Sequence, residues 1–127
     1  MFSLSNTTKQ SPHNSKEGFL LIKNNILGKK YELSLVFVGD KRAQSLNKKY
    51  RSKTYTPNVL SFPIDELTGE IFININVAKK ESEKYEMSHK NFIKFLFMHG
   101  CLHLKGLKHG KEMEKEENKY IKKYKLA

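Results

Sequence analysis

Residues 91–106, "NFIKFLFMHGCLHLKG", constrain the fold more than any other stretch of the chain. Phe92, Ile93, Phe95, Leu96, Phe97, Met98, Leu102 and Leu104 cover most of the circumference of a helix of about 3.6 residues per turn. A helix that is apolar nearly all round must be enclosed by other elements, so the pattern predicts a buried central helix. Gly106 supplies its stop. A chain of 127 residues suits one domain, residues 1–127, with enough surface to bury a real core. No internal repeat or linker divides it.

The other elements follow from spacing. Residues 1–6 suit a short first strand, and a polar turn follows. In "FLLIKNNIL" (19–27), Phe19, Leu20, Ile22, Ile26 and Leu27 fall at helical spacing, with Gly28 as a stop. "YELSLVFVG" (31–39) reads as a buried strand. Asp40 can cap a helix with Ala43, Leu46 and Tyr50 on one face, broken within 50–58, where Pro57 forbids continuation. "VLSFPID" (59–65) is a strand whose Pro63 implies an edge position or a bulge. "ELTGE" (66–70) is a turn and "IFININ" (71–76) the return strand. Residues 77–90 are charged and helical on a solvated face, and 111–127 form a terminal helix. The class is therefore α+β, a small mixed sheet packed by helices.

The central helix also carries chemistry. His99 and His103 are four apart, about 40° from each other on one face, so their rings can reach one metal at about 2.0–2.1 Å. If the chain turns back after Gly106, His109 joins them. Three neutral nitrogens with an open position describe a catalytic zinc site rather than a structural one. Zinc proteases use the same spacing but place a glutamate base after the first histidine, where this chain has Gly100. His13 and His89 lie in polar contexts and read as surface residues. Cys101, the sole cysteine, falls about 200° round the helix from His99 and reads as core.

Charge points to the substrate. Lys and Arg number 24 against 13 Asp and Glu, a net charge of +11, which suits a polyanionic partner. "LNKKYRSKTY" (46–55) interleaves Lys48, Lys49, Arg51 and Lys53 with Tyr50 and Tyr55, a mixture suited to a phosphodiester backbone with bases to stack. Arg51 can grip two phosphate oxygens at once. No disulfide within the chain is possible, no early apolar run is long enough for a secretory signal, and no segment approaches the roughly 20 apolar residues of a membrane span. The expectation is a soluble, cytoplasmic protein.

"HGCLHLKGLKH" (99–109), "LNKKYR" (46–51), "PNVLSFP" (57–63) and "GEIFI" (69–73) together resemble the YbeY family of bacterial endoribonucleases. The resemblance runs along the whole chain in element order. It implies a mixed four-stranded sheet with a metal cleft between sheet and central helix, metalloprotease-like in its histidine helix. It implies one zinc ion on His99, His103 and His109, Arg51 as the functional arginine, and cleavage of single-stranded RNA. The implied role is maturation of ribosomal RNA, including the 3′ end of 16S small-subunit RNA, and ribosome quality control. Ribosomes or small-subunit proteins are the implied partners. On this reading His99 and Arg51 are catalytic, and Lys48, Lys49, Arg51 and Lys53 hold RNA. Two family aspartates are replaced, by Asn58 and Lys108. Asp65 and Glu66 are the candidate general bases. The rival readings are a zinc-bearing RNA- or ribosome-binding module without activity, and a zinc peptidase, which Gly100 opposes.

Overall fold

The computed structural model describes residues 1–127, with the element order β1 (Phe2–Asn6), α1 (Lys16–Leu27), β2 (Glu32–Val38), α2 (Asp40–Arg51), β3 (Val59–Asp65), β4 (Thr68–Asn74), α3 (Ile75–Lys84), α4 (His89–Lys105) and α5 (Lys111–Tyr124). The four strands form one sheet in the order β1-β2-β4-β3. β1 and β4 flank β2 in parallel, and β3 pairs antiparallel with β4. This is the mixed α+β architecture expected. Pro63 sits on the edge strand and beside a register shift between Pro63 and Asp65, so both devices that accommodate a missing N–H are present.

Alternation assigns the two faces of the sheet. Leu33, Leu35, Phe37, Ile71 and Ile73 point into the main core with α1 and α4. The opposite residues, Val36, Val38, Leu60, Phe62 and Phe72, meet Ala43 and Leu46 of α2 in a smaller cluster. In α4 the buried set Phe92, Ile93, Leu96, Phe97, Met98, Cys101 and Leu102 confirms a central helix. Phe97, with no exposed surface, meets the rings of Phe2 and Phe19 at 6.0 and 5.1 Å between centroids. Each such ring contributes about 1.5–3 kcal/mol by leaving water. Cys101 lies fully buried, and burial pushes its thiol well above the ordinary range, so it is an inert core residue.

Several boundaries differ from the sequence reading, each for a local reason. α1 starts three residues before Phe19 because the Ser15 hydroxyl accepts the Gly18 N–H. Gly39, not Asp40, is the N-cap of α2; the Asp40 carboxylate instead accepts from the Asn74 and Asn76 amides, each at 2.9 Å. α2 ends at Ser52, left-handed at φ 56°, well before Pro57. Tyr50 lies on the same side of α2 as Leu46 and meets the Phe62 ring at 5.5 Å, but at the helix end it is 59% exposed. β4 already begins at Thr68, leaving a turn at 66–67 in which the Asp65 carboxylate accepts the Leu67 N–H. Residues 75–76 belong to α3, because Asn74 caps a helix there by accepting from Asn76 and Val77. The 77–90 segment is not one solvated helix: α3 buries Ile75, Ala78 and Ser82, and Ser88 caps a new start at His89. No helix is long and apolar enough to cross a membrane.

Candidate metal centre

Gly106 at φ 112° ends α4 by donating its N–H to His103 O, and the chain then doubles back over residues 107–110. A β-carbon would oppose this left-handed turn. It is the turn that brings His109 to the helix face. The three histidines each offer a ring nitrogen, and these atoms lie within 4.8 Å of one another. The ring centroids of His99 and His103 are 4.5 Å apart, and those of His103 and His109 4.8 Å.

Hydrogen-bond partners set the tautomers of two rings. His103 Nδ1 lies 3.1 Å from Leu107 O, a group that only accepts, so Nδ1 carries the proton. His99 Nδ1 lies 2.6 Å from the Glu117 carboxylate and donates to it. Both protons are inferred from these partners. The Nε2 lone pairs of His99 and His103 then oppose each other across 3.0 Å. Two lone pairs at that separation repel unless a cation lies between them. Two ligands each about 2.0–2.1 Å from a tetrahedral ion would stand about 3.3 Å apart, so the donor set fits a metal. His103 resists the alternative of taking a proton, because burial lowers its pKa, followed by the neighbouring His99 and His109.

Glu117, on α5, was missed by the sequence reading. It lies in a charged helix among other acids, 18 residues from its partner, and nothing in its local pattern marks it. It gives His99 a carboxylate partner of the kind that orients a metal-binding histidine and raises its basicity. A carboxylate was expected at 108; that position is an exposed lysine, and the carboxylate arrives from α5 instead. Glu117→Gln is expected to weaken metal binding by about 10- to 100-fold, read by competition with a chromogenic chelator. Unchanged affinity would mean that the contact is incidental.

A cleft of about 480 Å³ opens in front of the histidines, lined also by Arg51, Tyr55, Asn58 and the first residues of β3. Arg51 closes α2. One of its Nη atoms donates to Asn47 Oδ1 at 3.0 Å and to the Tyr55 hydroxyl at 2.8 Å. The other nitrogens remain for a ligand. Asn47 is fully buried and also donates to Tyr55 O, so it fastens the loop after α2 to the helix. Asn58 donates to Glu81 Oε1 at 2.9 Å. An aspartate at 58 would set two carboxylates against each other, so the amide matches its neighbour here.

Gly100 has a structural reason. A β-carbon there would stand 2.9 Å from Ser61 Oγ and 3.0 Å from Ile71 Cδ1. α4 packs directly on β3 and β4 at this residue, and the Ser61 hydroxyl donates to Gly100 O. The glutamate of the peptidase pattern has no room. Lys48, Lys49 and Lys53 are exposed and do not line the cleft; only Arg51 of that group does. Asp65 and Glu66 are at the hairpin turn, four or more residues along the strand from Ser61, and do not reach the histidines. His89 is not a plain surface residue: its Nε2 is buried without a partner and its ring meets His13 at 5.9 Å.

Residues 5–125 match the family model described as Endoribonuclease YbeY. Relatives bearing that name include proteins of Mesoplasma florum, 37% identical over 85% of this chain and 68% of its own length, and of Mycoplasma mycoides, 41% identical over 61% and 54%. A third, from Alkaliphilus metalliredigens, is 36% identical over 68% and 63%. The chain thus spans between about half and two thirds of these relatives. The solution structure of TM1509 from Thermotoga maritima superposes over 96% of this chain and 87% of its own, with a TM-score of 0.68 at 24% identity, a likeness of fold. With its family model matched over nearly its whole length, the chain belongs to the YbeY family.

Proposed function

We propose that the protein is a zinc-dependent endoribonuclease that cuts single-stranded RNA in a cytoplasmic pathway of ribosomal RNA maturation. The observation that carries the reading is the pair of Nε2 lone pairs facing each other across 3.0 Å, in the same cleft as Arg51. The names of the relatives support the reaction class. The 3′ end of small-subunit RNA, and ribosomes under quality control, are the substrates that the family resemblance favours.

One zinc ion on His99, His103 and His109 supplies Lewis acidity toward water and toward a phosphoryl oxygen. The chain's own groups do the rest. Glu117 keeps the proton of His99 on Nδ1, so that Nε2 stays a donor of electrons. Leu107 O does the same for His103. Arg51, held by Asn47 and Tyr55, presents its remaining N–H groups to the non-bridging oxygens, where charge grows in the transition state. Lys48 and Lys49, exposed in the last turn of α2, and Lys53, just beyond it, attract the RNA backbone at longer range, which makes binding weaken with salt.

Arg51 separates this reading from a module that only binds RNA. Arg51→Ala is expected to lower the cleavage rate by about 10²- to 10³-fold. Metal content should be unchanged, because Arg51 is no ligand. Arg51→Lys should recover only part of the loss, since a point charge cannot span two oxygens. Single-turnover cleavage of a labelled ribosomal RNA fragment reads all three. Wild-type rates in Arg51→Ala would contradict the reading.

A further inference from the structure

β3 is an edge strand, and a second cleft lies on its other face. Its volume is about 510 Å³, and it is lined by Arg42, Leu46 and Tyr50 of α2 and by Phe62, Glu70 and Phe72 of the sheet. Three aromatic rings form its wall in series: Tyr50 to Phe62 at 5.5 Å and Phe62 to Phe72 at 5.9 Å between centroids. Tyr50 is 59% exposed, although it ends a chain of packed rings. Lys49 Nζ lies 5.2 Å from the Tyr50 centroid, so a cation stands over the exposed ring, and Arg42 adds a second at the wall. Because side chains alternate along β3, Ser61 faces the histidine helix while Phe62 faces this cleft. Tyr50 and Arg51 are neighbours, so the last turn of α2 serves both sides of the strand.

We propose that this cleft is a base-stacking subsite for single-stranded RNA that leaves the histidine cleft and passes round the edge of β3. The proposal rests on the RNA-cleavage reading for its substrate, but its geometry is separate. An exposed aromatic ring, Tyr50, backed by the partly buried Phe62 and flanked by cations, offers what a flexible strand requires: stacking for the base, charge for the phosphate. The charges favour a polyanion over a second copy of this strongly basic chain, whose net charge is +11. Glu70 is the one acid at the wall. It has no ion-pair partner and can accept from an exocyclic amine, which favours cytosine over uracil at this position.

The test uses wild-type protein with chelator, so that RNA stays intact, and a cytidine dodecamer carrying one 4-thiouridine. Irradiation is expected to crosslink the RNA to Tyr50 or to the peptide holding Phe62, as well as to the histidine cleft. Tyr50→Ala and Arg42→Gln should each weaken dodecamer binding by about five- to tenfold in fluorescence anisotropy. A uridine dodecamer should bind less tightly than the cytidine one, and Glu70→Gln should narrow that difference. Tyr50 and Arg42 lie at the surface end of the cleft, so both variants are expected to keep the wild-type melting temperature. Crosslinks confined to the histidine cleft, with both variants within twofold of wild type, would overturn the proposal and leave RNA cleavage untouched. Absence of cleavage with metal, but with these crosslinks retained, would overturn the cleavage reading alone. Self-association lost in Tyr50→Ala, or no RNA binding at all, would also overturn the subsite.

Discussion

His103→Ala is expected to abolish RNA cleavage, with a rate at least about 10³-fold below wild type, equivalent to about 4 kcal/mol of lost transition-state stabilisation. The reason is geometric. His103 is the middle of the three rings: it is 4.5 Å from His99 and 4.8 Å from His109, whereas those two are 5.5 Å apart. Without it the Nε2 of His99 faces no second donor on its own helix. The purified variant should contain little metal by elemental analysis. Its fold should survive, because His103 is only half-buried and its burial disfavours its charged form. Removing a ring that is crowded by two other imidazoles relieves repulsion in the metal-free state. A melting curve close to that of metal-free wild type, together with lost metal and lost cleavage, is the expected set. Full metal content in His103→Ala would place the ion elsewhere.

Gly100→Glu is expected not to accumulate as folded protein. The side chain would enter the contact between α4 and the sheet, against Ser61 Oγ at 2.9 Å and the fully buried Ile71. An unpaired carboxylate there costs several kcal/mol even after it takes a proton. That is a large share of the roughly 5–15 kcal/mol that holds a domain together. Gly100→Ala is the graded version. The methyl overpacks the contact at about 1–3 kcal/mol, while alanine gains about 1 kcal/mol of helix propensity. A net loss of up to about 2 kcal/mol is expected in urea unfolding. Soluble, folded Gly100→Glu with peptidase activity would contradict the packing argument.

How much of this was legible beforehand depends on whether the signal was local. The α4 pattern, the Gly106 stop and the H-x3-H-x5-H spacing lie within one stretch, and their periodicity carries them. Pro63 announced an edge or a bulge because it lacks an N–H wherever it sits, and the strand has both. The missed boundaries turn on single local caps such as Ser15, Asn74 and Ser88, whereas the missed site contacts depend on pairing between distant elements. Glu117 matters only because α5 folds back across α4. The Asp40 contacts exist because β4 ends beside the start of α2. Asn58 suits its site because Glu81 of α3 meets it. Gly100 looked like an absent base in sequence; in three dimensions it is the place where a helix touches a strand.

The central claim is metal-dependent cutting of RNA at the three-histidine cleft. The most direct measurement is cleavage of a single-stranded ribosomal RNA fragment by zinc-loaded protein, by the same protein after chelation, and after zinc is restored. The expected result is internal cuts that vanish with chelator and return with zinc. Intact RNA with fully loaded protein, or cuts that persist in chelator, would contradict it.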